Sequence, residues 1–149
     1  MGWLEDLRGK VVGLDTVPII YYLDGYQDFR ETLHPFFAMV NNKECSVVTS
    51  VISLLEGLVK PISQNDEDWA RKYYKFLYST DGVKTYEVSP NIAERAARLR
   101  AFNNIKAPDA IQVATAIHAK ASVFLTNDVK LASIPDIQVL VLKHLKTDS

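Results

Sequence analysis

Lys10-Val-Val-Gly-Leu-Asp15-Thr-Val-Pro-Ile-Ile-Tyr-Tyr-Leu23 is the stretch on which the fold turns. Lys10 to Leu14 is a compact apolar run of strand length that stops at an acid. Pro18 then favours a helix start, with Ile19, Ile20 and Leu23 on its apolar side. A strand, a carboxylate and a helix follow one another with almost no loop between them.

The pattern recurs outward from there. Cys45 to Thr49 is a second strand candidate and leads directly into a helix from about Ser50 to Val59, which Pro61 and Ser63 are expected to break. Asp28 to Val40 has helical spacing through Phe29, Leu33, Phe36, Phe37 and Val40. Asp66 to Leu77 is amphipathic, with Trp69, Tyr73, Phe76 and Leu77 on one side. A third strand is expected at Lys84 to Val88. Ser89-Pro90 then reads as a cap followed by a first-turn proline, opening a helix to Phe102. Another helix opens at Pro108 and runs to about Lys120. Ser122 to Leu125 and Gln138 to Leu142 supply the fourth and fifth strands. Strands separated by helices imply crossovers, so the expectation is a three-layer α/β/α fold around a mostly parallel sheet of about five strands. Residues 1–149 contain no repeat, low-complexity tract or dividing linker, and read as a single domain.

Composition excludes several classes. A formal charge of −1 gives no global pull on nucleic acid, so any such binding must use a local basic patch. The lone Cys45 cannot form an internal disulfide and reads as a small half-buried hydrophobe. No apolar run approaches the roughly 18 residues of a membrane helix. The start, Met-Gly-Trp-Leu-Glu-Asp-Leu-Arg, lacks the basic and apolar regions of a signal peptide. A cytoplasmic protein is expected.

Four carboxylates sit beside otherwise apolar stretches: Asp15, Glu56, Asp109 and Asp128. Taking an acid out of water costs free energy unless a cation or hydrogen bonds offset it. Each also has a bland reading. Asp15 could cap the helix after it, Asp109 could favour a helix dipole, and Asp128 could belong to a turn or cap. Glu56 is harder to dismiss, being the only charge between Glu44 and Lys60, with Val51, Ile52, Leu54, Leu55 and Leu58 around it. Together the four suggest a site for a hard divalent cation. With no His or Cys nearby in sequence, Mg²⁺ or Mn²⁺ is favoured over Zn²⁺. Open parallel sheets bind ligands beyond the carboxyl ends of their strands, where Asp15 and Asp128 fall. Separations of 41, 53 and 19 residues mean that only the fold can assemble the cluster.

These segments resemble the PIN-domain ribonucleases: Leu-Asp15-Thr-Val-Pro-Ile-Ile-Tyr-Tyr-Leu, Ser-Val-Ile-Ser-Leu-Leu-Glu56, Pro-Asp109-Ala-Ile-Gln-Val-Ala-Thr-Ala and Phe-Leu-Thr-Asn-Asp128. The similarity runs in order from Val11 to Leu142 and is nearest the VapC-like toxins of toxin–antitoxin pairs. It implies a PIN-like domain acting as a metal-dependent endoribonuclease on single-stranded or loop RNA. It further implies an antitoxin partner and a homodimer. Asp15, Glu56, Asp109 and Asp128 match the family's acidic quartet. Asp15 and Asp109 are expected mainly as direct metal ligands; Glu56 and Asp128 are expected to bind directly or through water. Thr16 and Thr126 match threonines that support the acids. One departure is Val17, where the family commonly has Asn or Ser.

The cations Arg95, Arg98, Arg100, Lys106 and Lys130 and the aromatics Tyr21 and Tyr22 are candidates for RNA contact, against ordinary surface or core roles. His34, His118 and His144 lack ligand spacing and read as structural. A haloacid-dehalogenase-like phosphatase would need a second Asp at position 17, where Val17 stands. A catalytically silent PIN scaffold is the alternative that metal-dependent RNA cleavage would separate from an enzyme.

Overall fold

The computed structural model describes residues 2–145. Its centre is a five-stranded sheet in which every neighbouring pair is parallel, in the order β3-β2-β1-β4-β5. The strands are β1 (Val11–Leu14), β2 (Ser46–Ser50), β3 (Val83–Tyr86), β4 (Val123–Thr126) and β5 (Gln138–Val141). The helices are α1 (Trp3–Asp6), α2 (Thr16–Asp24), α3 (Arg30–Asn41), α4 (Val51–Ser63), α5 (Glu67–Ser79), α6 (Pro90–Phe102) and α7 (Ala107–His118). The α/β/α expectation holds, and the sheet is wholly rather than mostly parallel. Among the described residues, no helix is long and apolar enough to cross a membrane.

Alternation along the strands divides the core in two. Val12 and Leu14 of β1 and Val123 and Leu125 of β4 face the helices α2 to α5, joining Ile19, Phe36, Phe37, Tyr73 and Leu77. The opposite face, marked by Phe124, packs on α6 and α7 through Ile92, Leu99, Ala110, Val113 and Ala114. Small residues let α7 lie close to the sheet. Gly13 is the matching notch in β1: a Cβ there would stand 2.3 Å from the Ala116 Cβ and 3.2 Å from Phe124.

Several expected boundaries shift for identifiable reasons. Helix α4 passes through Pro61 to Ser63, because a proline this near the end removes only the bond to Gly57 and its ring is buried. Helix α2 begins at Thr16, with Pro18 inside its first turn. The segment from Asp28 opens as a 3₁₀ turn, Gln27–Phe29, before α3. The third strand is Val83–Tyr86, ending before the expected Val88. Cys45 is buried outright. Tyr22 belongs to the core, its ring 3.9 Å from that of Phe37.

The chain lays β1, β2 and β3 in one direction and then returns to add β4 and β5 on the other side of β1. That reversal opens a crevice at the carboxyl ends of β1 and β4. Gly13→Ala, which overfills the helix–sheet contact beneath it, is expected to cost roughly 1–3 kcal/mol in urea unfolding. Pairing it with Ala116→Gly should recover part of that loss as a coupling energy in a double-mutant cycle.

Candidate active site

Asp15 is the first residue beyond β1, yet its N–H still donates to the Leu125 carbonyl at 3.0 Å, which pins it to β4. Its carboxylate caps α2, one oxygen accepting from the Thr16 N–H at 2.8 Å. The other accepts from the Thr126 hydroxyl at 2.7 Å. Thr126, the last residue of β4, also accepts from the Asp128 N–H at 3.1 Å. Asp128 in turn caps the 3₁₀ turn Val129–Ser133 by accepting from the Lys130 N–H. Asp109 sits in the first turn of α7, half-buried. Glu56 lies on α4, where the Thr16 hydroxyl donates to it at 2.6 Å.

All four acids line one cleft of about 340 Å³, together with Thr16, Val17, Tyr21, Thr126 and Lys143. The six residues singled out from the sequence therefore meet. Asp15 and Asp128 are also caps, and capping uses one oxygen and leaves lone pairs over.

Burial sets the electrostatics. Asp15 is only 7% exposed, and loss of hydration pushes its pKa up to about 6. The bonds from Thr126 and Thr16 pull the other way, and the Asp109 and Glu56 carboxylates add to the rise. Asp109 is also raised, first by burial and then by Asp128 and Glu56, with Lys106 and Lys130 opposing. Among the described residues, no Lys or Arg forms an ion pair with any of the four acids. Nor do any three His, Cys, Asp or Glu side chains among them close on a point that could hold a metal ion. The acids share a crevice without converging on one point. Hard oxygen donors around an unneutralised buried carboxylate suit Mg²⁺ or Mn²⁺ by chemistry.

Glu56 departs from its sequence reading. It is exposed, and the face of α4 beside it is open, with Leu55, Val59 and Ile62 each about three-fifths exposed. The apolar residues around it in sequence are thus not a core enclosing it.

Sequence reasoning missed the support beneath the cleft. Gln112 on α7 is buried at 2% exposure and uses its whole amide. Its Nε2 donates to Thr16 Oγ1 at 2.9 Å and to Ser53 Oγ at 2.8 Å. Its Oε1 accepts from the Ser50 hydroxyl at 2.8 Å and the Ser50 N–H at 3.3 Å. Thr49 donates to the Leu14 carbonyl, which leaves Ser53 to donate to Thr49. Thr16 Oγ1 also lies 3.3 Å from Ser53 Oγ, a longer contact than either makes with its other partners. Because Thr16 Oγ1 receives from Gln112, its own proton is directed to Glu56. The available signal was a lone amide three residues after Asp109 in an apolar run. Lys143 was also missed: it reaches the cleft from the far end of the chain, its N–H bonded to Asn127 Oδ1.

The basic and aromatic candidates separate. Arg100, Lys106 and Lys130 line a second cleft that shares Asp109 and Asp128 as a wall. Arg95 and Arg98 line a different one, with Leu99, Phe102 and Pro135. Tyr21 borders the acids but is stacked on Tyr26 and Phe29. His34 and His118 contact the rings of Tyr22 and Tyr86, and His144 lies in an exposed C-terminal turn; none of the three lines the acid cleft.

Stability should report on this geometry. A carboxyl whose folded pKa is raised stabilises the fold most below its ordinary value, near pH 4, and that stability is lost as pH rises through about 6. In metal-free buffer, wild type should therefore lose on the order of 3 kcal/mol relative to Asp15→Asn between pH 4 and 7, read by urea unfolding at each pH. Parallel curves would exclude a buried, uncompensated Asp15. Gln112→Leu strands several buried polar groups and should cost roughly 2–4 kcal/mol by the same assay.

Comparison with known proteins agrees with this architecture. The PIN domain family model matches residues 12–137. No curated protein sequence matches. Among solved structures, VapBC2 from Rickettsia felis, bound to a promoter DNA fragment, superposes with a TM-score of 0.70 at 19% identity, over 88% of this chain and 98% of that one. A toxin–antitoxin complex from Klebsiella pneumoniae gives 0.65 at 26% identity, over 89% and 97%. VapC20 of Mycobacterium tuberculosis, a sarcin-ricin loop cleaving toxin, gives 0.65 at 15% identity, over 86% and 98%. The structural neighbours are VapC toxins of toxin–antitoxin complexes. With the family model spanning most of its length, this chain belongs to the PIN domain family.

Proposed function

We propose that this protein, acting as one domain over residues 1–149, is a metal-dependent endoribonuclease that cleaves single-stranded or loop RNA. On the same reading it is the toxin of a toxin–antitoxin pair. The observation that carries the proposal is Asp15: a buried carboxylate at the sheet's switch point, with three more acids in its cleft and no cation paired with it among the described residues.

Asp15 and Asp109 would hold Mg²⁺ or Mn²⁺ directly, with Glu56 and Asp128 bound to it directly or through water. When bound, such an ion supplies positive charge to the scissile phosphate and eases deprotonation of an attacking water. The protein's own residues do the rest. Thr16 and Thr126 hold the two oxygens of Asp15 in fixed directions. Thr16 orients Glu56, whose remaining oxygen is left to accept a proton from water at the cleft rim. Asp128 is fixed by the Lys130 N–H. In-line attack would leave 5′-phosphate and 3′-hydroxyl ends.

The relatives crystallised with antitoxins support an antitoxin partner for this chain. We also propose a homodimer and a cytoplasmic location. The open apolar strip Leu55, Val59 and Ile62 on α4, beside Glu56, is compatible with a protein partner.

The decisive assay is cleavage of a mixed single-stranded RNA pool with Mg²⁺, Mn²⁺ or EDTA, comparing wild type with Asp109→Asn. Metal-dependent cleavage should fall at least about 100-fold in the mutant, as expected when a charge contributing several kcal/mol to the transition state is removed. In parallel, Mg²⁺ should raise the melting temperature of wild type at pH 7 and leave Asp109→Asn nearly unchanged. Folded protein that neither cleaves nor responds to metal would instead be a catalytically silent scaffold.

A further inference from the structure

We propose that single-stranded RNA leaves the acid cleft on one side only, over a backbone track formed by Arg100, Lys106 and Lys130 that ends at Phe102 as a base-stacking platform. The inference rests on the nuclease reading above and names how its substrate is held.

A cleft of about 350 Å³ adjoins the acid cleft, with Asp109 and Asp128 as the shared wall and Arg100, Lys106 and Lys130 around the remainder. All three cations are exposed, and none forms an ion pair among the described residues. Had they served to neutralise the acids, close pairs would be expected, so their charge is left for an external anion. Arg100 is anchored by its Nε donating to the Ile105 carbonyl at 3.1 Å, while its terminal nitrogens have no partner among the described residues.

The turn from Arg100 to Ile105 bounds a further pocket that continues from this cleft and includes Phe102. Phe102 is 85% exposed, and no aromatic ring or cation packs on it among the described residues. A phenyl ring held in water where this groove meets the Arg95 and Arg98 cleft, which it also lines, suits a nucleobase, whose face stacks whatever its identity. The other side of the acid cleft is differently built. There Tyr21 is already engaged by Tyr26 and Phe29 at 4.4 and 5.2 Å, and Lys143 is the single cation lining the cleft among the described residues.

Electrostatics gives the track its purpose. The carboxylates repel a phosphodiester, so a strand needs its flanking phosphates held nearby to keep the scissile one in place. Lys106 and Lys130 stand beyond pairing distance of Asp109 yet near enough for their charge to be felt there, which is where the next phosphate along would lie.

The test uses the full chain and a fluorescein-labelled single-stranded RNA of about 12 nucleotides, within the range of single-strand site sizes. Binding is read by anisotropy in EDTA across a KCl series, and cleavage is read separately with Mg²⁺ and Mn²⁺. Lys106→Ala and Lys130→Ala should each weaken binding and flatten the slope of log K against log[KCl] by about 0.7 for each phosphate no longer neutralised. Phe102→Ala should weaken binding at least about 5-fold with the slope unchanged. Lys72→Ala, on α5 across the sheet, should alter neither. Lysine variants that keep the wild-type slope, or a Lys72→Ala change of the same size, would overturn the track. Phe102→Ala that leaves RNA binding intact and instead turns a dimer into a monomer would overturn the platform. Cleavage with unaltered slopes removes the track and keeps the nuclease. Flattened slopes without cleavage keep the track and remove the nuclease, and absence of both binding and cleavage removes both.

Discussion

One buried amide ties the crevice together. Gln112 has two N–H donors and an oxygen with two lone pairs, and α2, α4 and the end of β2 occupy all of them. A hydroxyl at the same place could not bridge four groups, and a carboxylate would lose both donors. Since buried polar groups left unpaired are costly, this arrangement admits little sliding of α4 or α7 against the sheet. The position of Glu56 is thus decided by a residue that never touches the cleft. Two layers on opposite faces of the sheet are joined by hydrogen bonds at the edge formed by its strands' carboxyl ends, where apolar packing alone would leave the spacing soft.

The same edge explains why Asp15 is tolerated where it stands. A carboxylate placed this deep is opposed by lost hydration and by its acidic neighbours, and two short hydrogen bonds offset only part of that. The unmet part is a standing bias toward whatever brings positive charge: a proton, a metal ion or a basic side chain. The fold holds the anion in place through the backbone bond to Leu125, so the strain cannot be relieved by swinging Asp15 into solvent. Stability is given up locally to keep a site receptive.

Much of this was legible in the chain itself. Short apolar runs ending in acids, and helices opened by Pro18, Pro90 and Pro108, were enough to read an α/β/α fold, because strand and helix periods are local properties. The four acids stood out because charges interrupt apolar segments. Other features depend on what sequence neighbours do not share. Glu56 looked enclosed by Leu54, Leu55 and Leu58, but a helix has a side that faces no core, and only tertiary packing says which. Pro61 looked like a stop, although a proline in the last turn removes a single bond. Gln112, Ser53 and Thr49 carry no local signal as a group, since their partners lie up to 96 residues away. Lys143 and Phe102 escaped notice because one arrives from the turn after β5 and the other matters only by being left in water.

The sheet order also fixes when the crevice can exist during synthesis. The central strand β1 emerges early, but its neighbour on one side is β4, near the end of the chain. A ribosome-bound product that stops at α5 would contain Asp15 and Glu56 without Asp109, Thr126, Asp128 or the amide of Gln112. The acids therefore cannot be gathered until the segment from α7 through β4 to Asp128 has emerged and docked. In a chain with this topology the crevice forms late, only when β4 docks beside a β1 made more than a hundred residues before it.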